Sequence, residues 1–214
     1  NKFTGKVAIV LNGIRNEVNA GDGVSIALNP GSYSVGVINL LTGEVKNQTV
    51  NVVERIIENN DLTVYYGSDN QYTVKVLDDR GNVASNLPVT FTVNGNEYSG
   101  LTDDMGYASL NVKLSPGVYT VTVSYKGFSV KNTLTVKSTV DLPSSDVYTY
   151  NSAYKASFLD KSGNKLSGNV AFIFNNIRYD ANAKEGLADF NVVLNPGSNV
   201  DRVLHTATGE VKHP

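Results

Sequence analysis

Ala108–Tyr125 reads A-S-L-N-V-K-L-S-P-G-V-Y-T-V-T-V-S-Y. Altered copies stand at Val24–Ile38 (V-S-I-A-L-N-P-G-S-Y-S-V-G-V-I) and Ala188–Val203 (A-D-F-N-V-V-L-N-P-G-S-N-V-D-R-V). Each copy reads as an alternating strand, a Pro-Gly turn and a second strand, the pattern of a hairpin. The turn glycines Gly31, Gly117 and Gly197 lie 86 and 80 residues apart. Upstream, I-V-L-N-G ending at Gly13, F-T-V-N-G ending at Gly95 and F-I-F-N-N ending at Asn176 recur at 82 and 81 residues. L-D-D-R-G-N at Leu77–Asn82 and L-D-K-S-G-N at Leu159–Asn164 are again 82 apart. Landmarks kept in one order at one period mark a tandem array with a unit of about 80 residues.

Residues 61–138 hold the one complete unit. Leu62–Tyr66 is a short first strand, and Gln71–Asp78 alternates with Tyr72, Val74 and Val76 on one face. Asp79-Arg80-Gly81-Asn82 turns the chain, and Val89, Phe91 and Val93 line the inner face of the next strand. Asn94-Gly95 is a strong hairpin signal, with Glu97–Thr102 as the return arm. Tyr107–Leu114 points Ala108, Leu110, Val112 and Leu114 inward. Pro116-Gly117 then closes a hairpin into a strand burying Tyr119, Val121, Val123 and Tyr125, and Lys126-Gly127 turns into Phe128–Lys137. Seven short strands with turns every 8–12 residues predict an all-β immunoglobulin-like sandwich. The end units are incomplete copies: 1–53 lacks the first strands and 146–214 lacks the last. A sandwich short of a strand has an open edge and an open core. The pattern therefore predicts either a piece of a longer array or completion by a neighbour's strand. Glu54–Asn60 and Thr139–Ser145 read as linkers, and Val50–Asn60 is the only stretch able to hold a helical turn.

Composition narrows the function classes. The 214 residues contain no Cys, which excludes a disulfide-stapled scaffold. Eighteen basic against twenty acidic residues give a net charge of −2, too balanced to select nucleic acid or an anionic membrane. No apolar run reaches the 18 or so residues of a transmembrane helix, so no membrane contact is expected within this segment. Asn1 is neither an initiator Met nor part of a signal-peptide pattern, so it is expected to be a processed end or a cut within a longer chain.

The succession D-L-T-V-Y-Y-G-S-D-N-Q-Y-T-V-K-V-L-D-D-R-G-N, then V-T-F-T-V-N-G-N-E-Y, then D-D-M-G-Y-A-S-L-N-V-K-L-S-P-G-V-Y-T-V-T-V resembles the immunoglobulin-like repeats of adhesin-like proteins of methanogenic archaea. The shared features are a tyrosine pair, an L-D-x-x-G-N-like turn, an N-G hairpin, a G-x-A-x-L-N strand and an L-x-P-G-x-Y turn. The outer units depart from it where Gly23 precedes Val24 and where Asn199 replaces the turn-following Tyr. The resemblance implies an exported, extracellular, many-repeat cell-surface protein. It implies no particular ligand, because fold does not fix function.

No chemistry-bearing constellation emerges, so no catalytic, cofactor or metal residue is assigned. His205 and His213, the only histidines, lie near the C-terminus without a G-x-S-x-G elbow or a ligand set and read as solvated loop residues. Asp78-Asp79, Asp103-Asp104, Asp141 and Asp146 sit at turns or beside Pro143, where carboxylates serve local backbone hydrogen bonds more often than calcium. Asn47-Gln48-Thr49 is the sole glycosylation sequon, making Asn47 a candidate for modification. Tyr65 and Tyr66 are the candidate exposed aromatics for a surface glycan. The sequence reading is thus a non-catalytic adhesin-like stalk or adhesion module. Its expected partners are neighbouring repeats, copies of itself, cell-surface glycans or other cells. The alternative is an extracellular filament whose incomplete domains are completed by strand donation.

Overall fold

Period-2 alternation gives each strand one face to bury, and among the described residues of the computed structural model every regular element is a strand, β1 to β19 in chain order. The structure describes residues 4–25, 27–143, 152–190 and 200–213. Pro196-Gly197, Asn199 and Asp146 lie outside these described residues. The chain divides into two compact units, Asn1–Arg55 with Leu77–Asn82, and Ile56–Val76 with Val83–Pro214.

In the first unit β1 (Lys6–Leu11), β2 (Ile14–Asn19), β3 (Gly31–Asn39) and β4 (Val45–Val52) form one antiparallel sheet in the order β2-β1-β3-β4. Asn12 and Gly13, at φ 50° and 76°, make its tight hairpin, because a two-residue turn with both residues left-handed matches the strand twist. Val7, Ile9, Leu11, Tyr33, Val35 and Val50 share one face, as the pairs Leu11↔Val35 and Tyr33↔Val50 require. Among the described residues of this unit no second sheet faces them. On that face Leu11 is buried while Val37 and Val50 stay exposed, and Ala8 is buried on the opposite face.

The second unit holds two sandwiches. The first comprises β5 (Ile56–Ile57), β6 (Leu62–Tyr65), β7 (Gln71–Val76), β8 (Pro88–Val93), β9 (Asn96–Leu101), β10 (Tyr107–Asn111), β11 (Gly117–Tyr125) and β12 (Phe128–Lys137). Its sheets are β10-β7-β5 and β6-β12-β11-β8-β9. Tyr72, Val74, Val76, Phe91, Val121, Val123 and Leu134 are buried between them, with Tyr72 edge-on to Phe91 at 6.2 Å. The Tyr72 hydroxyl donates to Asn132 Oδ1 at 2.7 Å; burial, with Asp61 adding to it, pushes this phenol up to about 12. The first strand is split between the sheets: β5 runs antiparallel to β7, whereas β6 runs parallel to β12. The switch occurs at Glu58, at φ 49°, whose carboxylate accepts from the Tyr107 hydroxyl at 2.6 Å and faces Lys75 Nζ at 3.4 Å. This is the immunoglobulin-like sandwich that alternation predicts.

Three expectations change. Pro116-Gly117 does not close a hairpin, since β10 pairs with β7 and β11 with β8 and β12, in opposite sheets. Residues 112–116 arch from one sheet to the other. Alternation tells which face a strand buries, not which strand it pairs with. The motif's tyrosine fixes the arch: Tyr119 Oη donates to the Ser115 carbonyl, and Tyr33 Oη to that of Asn29, both at 2.7 Å. The ring folds back over Gly117, where a Cβ would stand 3.2 Å from Tyr119 Oη. Second, the described residues of 24–29, read as the counterpart of β10, form no strand, because this unit has no strand equivalent to β7 for them to pair with. Third, the stretches read as linkers contain first strands, β5 at Ile56–Ile57 and a two-residue strand at Val140–Asp141. Ile56, 2 % exposed, belongs to the core behind β7, and 50–60 contain no helix.

The second sandwich repeats the plan with β13 (Val140–Asp141), β14 (Tyr154–Phe158), β15 (Gly168–Phe174), β16 (Ile177–Ala183), β17 (Leu187–Phe190), β18 (Val200–His205) and β19 (Val211–Lys212). Its sheets are β13-β14-β17 and β16-β15-β18-β19. Tyr154, Phe158, Phe172, Phe174 and Phe190 fill the core. Val140, also read as linker, is buried among them. The strand β19 has 2 residues where its counterpart β12 has 10.

Candidate functional site

A cluster of polar groups lies where the two sandwiches of the second unit join. β12 ends at Lys137 and β13 begins at Val140, so Ser138 and Thr139 are the whole connection. Both are met by the turn between β18 and β19. Ser138 Oγ donates to Glu210 Oε1 at 2.6 Å, and Thr139 donates to Glu210 Oε2 from its backbone N–H at 2.6 Å and its hydroxyl at 2.7 Å. Lys212 Nζ donates to the Val140 carbonyl at 2.9 Å. Thr139 and Glu210 are buried, so these charge-assisted bonds form out of water, where they are stronger than at the surface.

The turn presenting Glu210 is built locally. His205 N–H donates to the Glu210 carbonyl and Gly209 N–H to that of His205. Gly209 sits at φ 77°, and Thr208 Oγ1 accepts from Glu210 N–H at 3.3 Å. The His205 ring, 0 % exposed, accepts from Thr208 N–H at Nδ1 and lies 2.7 Å from the Leu159 carbonyl at Nε2, so Nε2 carries the proton. The expectation of a solvated histidine is therefore corrected: at a position occupied by Tyr125 in the preceding repeat, it is a core residue that also ties the turn. His213 is exposed.

A second contact runs beside the first. The end of β6 sets the Tyr65 ring against Gly163, whose added Cβ would run into that ring. Gly67 packs on Thr208, and Lys161 forms an ion pair with Asp69. Tyr65 and Tyr66 are each half-buried, and Tyr65 also lies under Lys137 Nζ at 5.8 Å. Asn47 is exposed on β4, its side-chain oxygen over Gly36.

The turn aspartates serve the backbone. Asp78 Oδ1 accepts from the N–H groups of Arg80 and Asn82, Asp103 Oδ1 from Met105 and Tyr107, and Asp160 Oδ1 from Ser162 and Asn164. These bonds hold the Asp78 and Asp160 carboxyls below the usual carboxylate range. Among the described residues no group of three or more His, Cys, Asp or Glu side chains could hold a metal ion.

Glu210 and Thr139 were not singled out in the sequence, although a signal was there. T-G-E-V-K occurs at Thr42–Lys46 and again at Thr208–Lys212. The first copy folds alike: Asn39 N–H donates to the Glu44 carbonyl, Gly43 N–H to that of Asn39, and Glu44 N–H to Thr42 Oγ1. There the glutamate is exposed and faces Lys46 at 3.6 Å.

No family model and no curated protein matches the chain. Among solved structures it is similar to a Bacteroides ovatus mixed-linkage glucan utilization locus protein, SGBP-B, in complex with a mixed-linkage heptasaccharide, at 14 % identity and TM-score 0.28 over 99 % of this chain and 56 % of that one. It is similar to an adhesin of an Antarctic bacterium that binds ice, at 16 % identity and TM-score 0.24 over 99 % of this chain and 63 % of that one. It is also similar to domains 4–9 of the surface layer protein SbsC, at 14 % identity and TM-score 0.28 over 94 % of this chain and 38 % of that one. The chain thus spans less than two thirds of each of these structures.

Proposed function

We propose that this chain is a stretch of non-catalytic, extracellular, adhesin-like repeats on a cell surface, acting as a structural stalk or adhesion module. The reading of an archaeal surface protein with repeat units at 1–53, 61–138 and 146–214 rests on the resemblance to methanogen adhesin-like repeats, with Ile56 and Val140 added to the cores of the second and third units. The observation that carries this reading is the joint. A stalk must transmit position from one unit to the next, and a two-residue connection held by a buried carboxylate leaves little freedom. In an array each unit contacts chiefly its neighbours, so such joints set the stiffness of the whole. Spin labels on β9 and β16, read by pulsed electron resonance, test it. A narrow distance distribution that broadens in Glu210→Ala supports the stalk; a distribution already broad in the unaltered protein sinks it.

The filament alternative is favoured by the unpaired apolar face of the first unit and by the exposed Glu44 on a turn that, in its second copy, holds the segment joining two sandwiches. Its expected partner is another copy of the chain supplying strands. Electron micrographs of the purified chain at rising concentration decide: filaments favour donation, and particles that stay single at every concentration reject it.

A further inference from the structure

In the first sandwich of the second unit a cleft of about 360 Å³ opens between the edge strands β9 and β10. Near Gly100 the two edges close, since an added Cβ there would stand 3.2 Å from the Phe91 ring and 3.8 Å from the Ser109 carbonyl. Elsewhere the edges part over an apolar floor of Phe91, Val93 and Leu110, rimmed by Tyr98, Asn111 and Lys113. The following repeat shows what the same place can hold. Phe174, Phe190 and Tyr179 stand at the positions of Val93, Leu110 and Tyr98. There Phe190 stacks on Phe174 at 4.4 Å with 17° between the planes and meets Tyr179 at 4.8 Å. Tyr179 is half-buried by that ring, whereas Tyr98, with Leu110 in its place, is 42 % exposed beside the open cleft.

We propose that this cleft is a carbohydrate-binding site that takes a pyranose ring of a neutral polysaccharide. A pyranose presents a flat face of C–H groups and an edge of hydroxyls. The face suits the Tyr98 ring and the apolar floor, and the edge suits a rim of amide, hydroxyl and ammonium groups. Gln71 Nε2 donates to Asn111 Oδ1 at 2.7 Å, which fixes the Asn111 amide and turns its Nδ2 to donate elsewhere. The volume falls at the lower end of small-ligand sites, enough for one or two rings. A peptide strand would instead take its affinity from main-chain pairing with the β9 or β10 edge.

The test is amide-shift mapping on the full ¹⁵N-labelled chain, titrated separately with cellohexaose, maltohexaose and chitohexaose. At least one sugar should give saturable shifts centred on Tyr98, Ser99, Asn111 and Lys113. Tyr98→Ala should weaken it about tenfold, while Tyr179→Ala leaves it unchanged. Val93→Phe with Leu110→Phe, which copies the packing of the following repeat, should abolish binding while thermal unfolding shows the sandwich intact. The proposal is overturned if none of the three sugars shifts these amides up to its solubility limit. It is equally overturned if binding survives in the filled variant, or if a phenylalanine-centred tripeptide shifts the site and the sugars do not.

Discussion

A carboxylate that is 4 % exposed is stable only where donors meet it, and Glu210 meets the Ser138 hydroxyl together with the Thr139 hydroxyl and N–H. Glu210→Ala strands the Thr139 donors in a buried place, so the variant should lose about 3 kcal/mol in urea unfolding. Glu44→Ala, which removes an exposed carboxylate from the same turn, should change stability by no more than about 0.5 kcal/mol. Asp78 and Asp160 act through linkage instead. Their folded-state values lie below the 3.8 of an ordinary aspartate, so their contribution is fully present above that pH and is lost as pH falls through the lower folded value. The unfolding temperature should therefore drop on acidification below pH 3.8. In the Asp78→Asn, Asp160→Asn double variant that drop should flatten; a parallel curve would show that other carboxylates carry it.

At the scale of elements, the arch and the seam make separate predictions. Tyr119→Phe keeps the ring over Gly117 and removes the hydrogen bond to the Ser115 carbonyl, so it should cost about 1 kcal/mol without changing the fold. Gly163→Ala drives a Cβ into the Tyr65 ring at a residue already at φ 87°. It should destabilise by more than the roughly 1 kcal/mol expected of glycine at such a position. Tyr65→Ala should recover the excess but not the backbone part, and additive losses in the double-mutant cycle would show that the two residues do not touch. Of these elements the N-G hairpins were legible, because their left-handed residues are written in the sequence. The arch was not, because a Pro-Gly turn between alternating strands reads the same whether the strands pair or cross between sheets.

For the whole molecule, stability should be uneven. Of the apolar residues in β1–β4 only Ala8 and Leu11 are buried, on opposite faces of one sheet, while the sandwich from β5 to β12 closes two sheets over a continuous core. Amides of β1–β4 should therefore exchange with solvent faster than those of β7, β8 and β11 at neutral pH, and equal protection would mean that the open face is covered in solution.

By itself the sequence determined the period, the inward-facing residues of the complete repeat and the N-G hairpin tips. All of these follow from local rules of alternation, turn conformation and residue chemistry. The tertiary structure decided the rest. It turned Ile56 and Val140 from linker into first strands, because a two-residue strand is too short to show a period and is defined by its partner. It moved His205 into the core, because burial depends on what packs over a residue. It also joined Thr139 to Glu210 across 71 positions of chain, since only folding brings together a buried charge and its donors.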